Sequence, residues 1–135
     1  MVKLIIGVKG TGKTKALIEM INAALDSTKG SVVCIEKGTN LQLTLNYNCR
    51  LINSDEYMIS SASELYGFIA GLLASNHDIT DLFVDATFRI CQRDAAAFDK
   101  FVTEVDELSS KYGMNVVMTV SMPAENTTDT MKKYL

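Results

Sequence analysis

The segment Gly7-Val8-Lys9-Gly10-Thr11-Gly12-Lys13-Thr14 constrains this chain more tightly than any other. It has the spacing G-x-x-x-x-G-K-[ST], and it sits between two runs of different periodicity. Before it, Val2 to Ile6 is a short apolar run ending in glycine, as a buried parallel strand does before a tight turn. After it, Leu17, Ile18, Ile21, Ala24 and Leu25 recur at helical spacing up to Lys29-Gly30, which predicts a helix over residues 13–28. Glycines allow backbone conformations barred to other residues, so successive N–H groups can turn inward at one point. The helix that follows adds its own unpaired N–H groups and the positive end of its dipole.

Such a nest is a cradle for phosphate oxygens. Gly7, Val8, Lys9, Gly10, Thr11, Gly12, Lys13, Thr14 and Lys15 are therefore the candidate binding residues. Lys13 is placed to reach the β- and γ-phosphates of a bound nucleotide, and the Thr14 hydroxyl to ligate Mg²⁺.

The remaining pattern alternates strands and helices. Val32-Val33-Cys34-Ile35 reads as a second buried strand ending at Glu36. Leu41, Leu43 and Leu45 alternate with polar residues, predicting an edge strand, followed by a turn at 46–48 and a short strand at Arg50 to Asn53. Ser61 to Glu64 has capping-box spacing ahead of the stripe Leu65, Phe68, Ile69, Leu72 and Leu73, which predicts a second long helix. Leu82-Phe83-Val84-Asp85 is a strand that ends in an acid. Phe98, Phe101, Val102, Val105, Leu108 and Tyr112 then mark a helix closed by Gly113, and Met114 to Val120 a last strand. Residues 123–135 hold the only proline and a polar run, and are expected to be a loosely ordered tail. The expected fold is α/β, a three-layer α/β/α sandwich with a mostly parallel sheet, in one domain over residues 1–135.

Bulk composition agrees with one such domain: 135 residues, 47% hydrophobic and 21% charged. A net charge of −3 and scattered lysines give no footprint for nucleic acid. Cys34, Cys49 and Cys91 form no CxxC pair and are expected to be reduced thiols in a cytoplasmic protein. No apolar run has the length of a signal or membrane segment. His77 lacks partners at metal-ligand spacing.

Asp85 at the carboxyl end of its strand is the expected second anchor for Mg²⁺, through a bound water. The next residues are Ala86-Thr87, so no glutamate directly follows it to activate an attacking water. Glu36, at the carboxyl end of the second strand, opens on the same sheet edge and is the candidate base. Arg89 and Arg93 are candidates for stabilising transferred charge. If the last strand lies beside the first, Thr119 or Ser121 becomes a candidate sensor of the γ-phosphate.

With the loop and Asp85 placed, residues 2–121 resemble the P-loop NTPase superfamily, and their order is similar to its RecA-like core. The loop corresponds to Walker A and Leu82 to Asp85 to Walker B. The resemblance implies an ATPase in which a glutamate after the second strand, here Glu36, acts as base. The chain also looks like short stand-alone bacterial ATP-binding proteins. It has neither the guanine-reading Asn-Lys-x-Asp motif, so ATP is expected over GTP, nor the second lysine of the partition ATPases, whose position is Val8. The expected function is binding of ATP and Mg²⁺ with weak or partner-dependent hydrolysis. The alternatives are a nucleotide-switched binding module without hydrolysis and a small-molecule kinase.

Overall fold

The structure is a computed structural model that describes all residues from Met1 to Leu135. Its elements follow the chain as β1 (Val2–Gly7), α1 (Lys13–Ser27), β2 (Ser31–Glu36), β3 (Arg50–Asn53), α2 (Ala62–Ser75), β4 (Ile79–Val84), α3 (Thr87–Ile90), α4 (Ala95–Tyr112), β5 (Asn115–Ser121) and α5 (Asp129–Lys132). The five strands form one sheet in the order β1-β5-β4-β2-β3, and every neighbouring pair is parallel.

Parallel strands bury both faces, which is why β2, β4 and β5 read as near-continuous apolar runs. One face carries α2, α4 and α5: Leu65, Ile69, Phe98, Phe101, Val105 and Met131 join the inward residues of the strands in a single core. The other face carries α1 alone, where Leu17, Ile21 and Ala24 cover Val32, Cys34, Phe83 and Val117. The fold is thus α/β with helices on both faces of an all-parallel sheet. No helix is long and apolar enough to cross a membrane.

The helix ends follow from local chemistry. Ser61 caps α2 by accepting the Glu64 N–H, while Glu64 reaches back to accept the Ser60 N–H at 2.9 Å. Asp94 caps α4 through the Ala97 N–H, and Gly113 ends that helix at φ 67°, a left-handed conformation that glycine adopts freely.

Two expectations are corrected. Residues 41–45 form no strand: the Thr44 and Leu45 amides both donate to the Leu41 carbonyl, closing the chain into turns. The alternation there has another cause, since Leu41 is buried under α1 while Leu43 is fully exposed. The strand at Arg50–Asn53 does form, but parallel to β2, with Val33 beside Arg50 and Glu36 beside Asn53. The tail is not loose either. Met131 is fully buried, the Thr128 hydroxyl donates to Asp99, the Tyr134 hydroxyl donates to Asp106, and the Tyr134 carbonyl accepts the Leu4 N–H at 2.8 Å. Apolar Met131 and Tyr134 dock residues 123–135 despite their polar neighbours.

Candidate functional site

All five strands point their carboxyl ends the same way, and the loops leaving β1, β2 and β4 meet the end of β5 in a cavity of about 630 Å³. The Gly7–Thr14 loop forms one wall. Gly10 and Gly12 adopt φ of 87° and 83°, which explains glycine at both positions. At Gly7 a Cβ would lie 2.6 Å from the Thr11 hydroxyl oxygen, so the loop packs against its own base. The Thr11 hydroxyl and the Lys13 ammonium both donate to the Val8 carbonyl, at 2.7 and 2.9 Å. Gly12 caps α1 without a side-chain acceptor, leaving the first-turn amides facing the cavity mouth.

Asp85 sits one residue past β4, its own N–H bonded to the Ile35 carbonyl at 2.8 Å. Between β4 and β1 lies β5, and Thr119 of β5 fixes the acid. Its hydroxyl donates to Asp85 Oδ1 at 2.5 Å and accepts the Ala86 N–H at 2.9 Å. The Thr14 hydroxyl approaches Asp85 Oδ2 at 3.4 Å. One hydroxyl and one fixed carboxylate therefore face each other across the cavity floor. Hard oxygen donors of this kind suit a divalent cation that takes its remaining ligands from water and phosphate. Ala86 is left-handed at φ 59° and starts α3; Phe88, Ile90 and the following Cys91 are buried, while Arg89 and Arg93 line the cavity.

Six cationic side chains line the cavity, Lys9, Lys13, Lys15, Lys37, Arg89 and Arg93, against one carboxylate, Asp85. A chain with net charge −3 has placed six of its 13 lysines and arginines around one concave place. The arrangement is built for an anion.

The structure thus brings together Lys9, Gly10, Gly12, Lys13, Thr14, Lys15, Asp85, Arg89, Arg93, Thr119 and Ser121, with Gly7, Val8 and Thr11 shaping the loop behind them. It does not bring Glu36. That side chain is 2% exposed, and its two carboxylate oxygens accept the Asn40 and Leu41 amides, each at 3.0 Å. It borders a separate cavity of about 190 Å³ with Arg50, Asn53 and Glu56. Burial pushes its carboxyl above the ordinary 4.5, and the Asp85 charge pushes the same way, against the pull of the two amides. Thr119 lines the cavity, but its proton and one lone pair are already committed, whereas the Ser121 hydroxyl makes no bond within the chain.

Sequence reasoning missed Lys37 and Asn40, which enter the cavity from the loop that Glu36 ties down. Lys37 is also paired with Asp55 at 2.7 Å, and Asn53 joins the two segments by accepting the Gly38 and Asp55 amides. A lysine just past the end of a parallel strand was the available signal. Comparison of the chain with protein-family models and with curated proteins finds no match.

Proposed function

We propose that the cavity binds a nucleoside triphosphate, ATP in preference to GTP, together with Mg²⁺, and that hydrolysis is slow or depends on a partner. The observation that carries the reading is the convergence of Lys9, Lys13, Lys15 and the left-handed glycines of the loop on the Thr14–Asp85 pair. In this reading the amides from Gly10 to Lys15, with Lys13, hold the phosphate chain. Thr14 and Asp85 would hold Mg²⁺, which when bound neutralises phosphate charge and draws the terminal phosphate into place. Thr119 keeps Asp85 oriented, and the Ser121 hydroxyl can donate to a phosphate oxygen.

Slow turnover follows from what faces the cavity. Ala86 follows the acid, and the Glu36 carboxylate is spent on two backbone amides. The same observation supports a second reading, a switch whose nucleotide occupancy is read by a partner without cleavage. Calorimetric titration of wild type and Lys13→Ala with ATP and Mg²⁺ tests the binding assignment. We expect the variant to bind at least about tenfold more weakly, as loss of a charge-assisted contact implies. Equal affinity would defeat the assignment. Phosphate release at a low rate that disappears in Lys13→Ala supports the ATPase, whereas ATP recovered intact after prolonged incubation supports the switch.

A further inference from the structure

We infer that the α3 side of the cavity is a second anion site, for a phosphate-bearing small molecule held beside the nucleotide by Arg89 and Arg93. The inference rests on the nucleotide reading of the loop and extends it.

The charge of the cavity favours a second anion. Six cations against Asp85 leave an excess of five positive charges, and the pairing of Lys37 with Asp55 reduces it to four. A bound divalent cation would raise the excess again, and a nucleoside triphosphate would then leave about two positive charges unmatched. Two is the number of guanidinium groups on the α3 side. Neither arginine is paired with a carboxylate, since the ion pairs of the structure are Lys37–Asp55 and Lys132–Asp129. An uncompensated cluster repels itself, which gives a second anion a favourable place to bind.

The Gly7–Thr14 loop leaves β1, whereas Arg89 and Arg93 follow β4, and β5 lies between them. The strand ends from which the two groups of cations depart are thus two strand spacings apart, roughly 10 Å. The three loop-side lysines serve one phosphate group. The arginines, with their planar forks suited to two phosphate oxygens at once, serve another.

Gln92 and Arg93 are consecutive non-glycine residues at φ 60° and 52°, a conformation side chains disfavour. The turn is held by the Arg93 N–H on the Phe88 carbonyl at 2.8 Å and by Gln92 Nε2 on the Ser60 carbonyl at 2.7 Å. With Phe88, Ile90 and Cys91 anchored in the core, the strained turn places Arg93 beside Arg89 at the cavity.

The test uses inorganic phosphate as probe, titrated calorimetrically into protein already saturated with a non-hydrolysable ATP analogue and Mg²⁺. We expect phosphate to bind in addition to the analogue. In the double variant R89A/R93A its affinity should fall by about tenfold or more, the loss of two charge-assisted contacts. The affinity for the analogue should change by less than about threefold, a difference within the range of long-range surface charge effects. The variant R89K/R93K, which keeps charge and loses the fork, should fall between, and both arginines are exposed enough for folding to be unaffected. Phosphate excluded by the analogue would overturn the second site. So would phosphate binding that is indifferent to both arginines. Equal loss of phosphate and analogue in R89A/R93A would overturn it too, by assigning the arginines to the nucleotide's own terminal phosphate. Failure of the nucleotide reading is read separately, as analogue binding unchanged in Lys13→Ala. In that case the arginine dependence of phosphate binding is measured on the free protein and decides the inference by itself.

Discussion

Replacing Thr119 by valine keeps the shape of the side chain and removes only its hydroxyl, at a position 1% exposed. Two bonds go with it, the donation to Asp85 and the acceptance from the Ala86 N–H. A hydrogen bond to a charged acceptor contributes about 1.5–3 kcal/mol, and the part-buried Ala86 N–H at the cavity edge loses its acceptor at a cost at the low end of about 1–3 kcal/mol. The two losses share one oxygen and do not simply add, so the expected destabilisation is about 2–4 kcal/mol. Serine provides the control. Thr119→Ser retains both bonds and removes one methyl, which costs about 1 kcal/mol. Urea unfolding of the three proteins measures the difference, with the midpoint shifted at constant slope. A second readout separates stability from function: with Asp85 no longer pinned, Mg²⁺-dependent nucleotide binding should weaken by about 10–100-fold in the valine variant. If Thr119→Val unfolds within about 0.5 kcal/mol of wild type, the claim that β5 positions Asp85 through this hydroxyl is wrong. Valine and serine variants of equal affinity would refute the functional half alone.

Three further outcomes follow from the geometry. Gly12→Ala puts a Cβ at φ 83° and should destabilise the domain by about 1–2 kcal/mol, read by thermal unfolding; wild-type stability would mean the loop is not held left-handed there. Met131→Ala should cost about 2–4 kcal/mol, because its fully buried side chain docks the tail, and a change below about 0.5 kcal/mol would show the tail to be undocked. The Glu36 carboxyl is held above its ordinary 4.5 by burial, so the folded state binds that proton more tightly than the unfolded chain does. Its contribution is full below the ordinary value and declines as pH rises through the folded one. Urea unfolding of wild type and Glu36→Gln should therefore show the difference moving in favour of the glutamine variant as pH rises from 4 to 7, about 1.4 kcal/mol for each unit by which the carboxyl is raised. A gap that is constant with pH would exclude the shift.

Much of the fold was legible because its signals are local. The loop needs only eight neighbouring residues, α2 announces itself through Ser61 and Glu64, and α4 ends where Gly113 turns left-handed. What was not legible is decided at a distance. The alternating leucines at 41–45 satisfy the pattern of a strand. The Asn40 and Leu41 amides, however, are taken by Glu36, and a backbone captured in this way turns back on itself. The same capture explains why Glu36, on the expected sheet edge, does not reach the cavity. Arg93 and Lys37 come from loops more than fifty residues apart, and only the strand order brings them to one cavity. The tail resembled a frayed end because two docking residues, Met131 and Tyr134, are outvoted in composition by polar ones. Packing depends on which residues face inward and not on their share.

The strand that carries the loop is at the edge of its sheet. β1 has β5 on one side, and on the other the Tyr134 carbonyl occupies the Leu4 N–H. An edge strand offers its remaining backbone groups to any extended chain that meets it. The tail thus acts as a guard against unintended pairing. Conditions that lift it, such as loss of the Met131 anchor, would leave the outer edge of β1 open to pairing with a second copy of the chain. The free edge of the strand that carries the anion-binding loop is thus covered by residues that contain no part of the site.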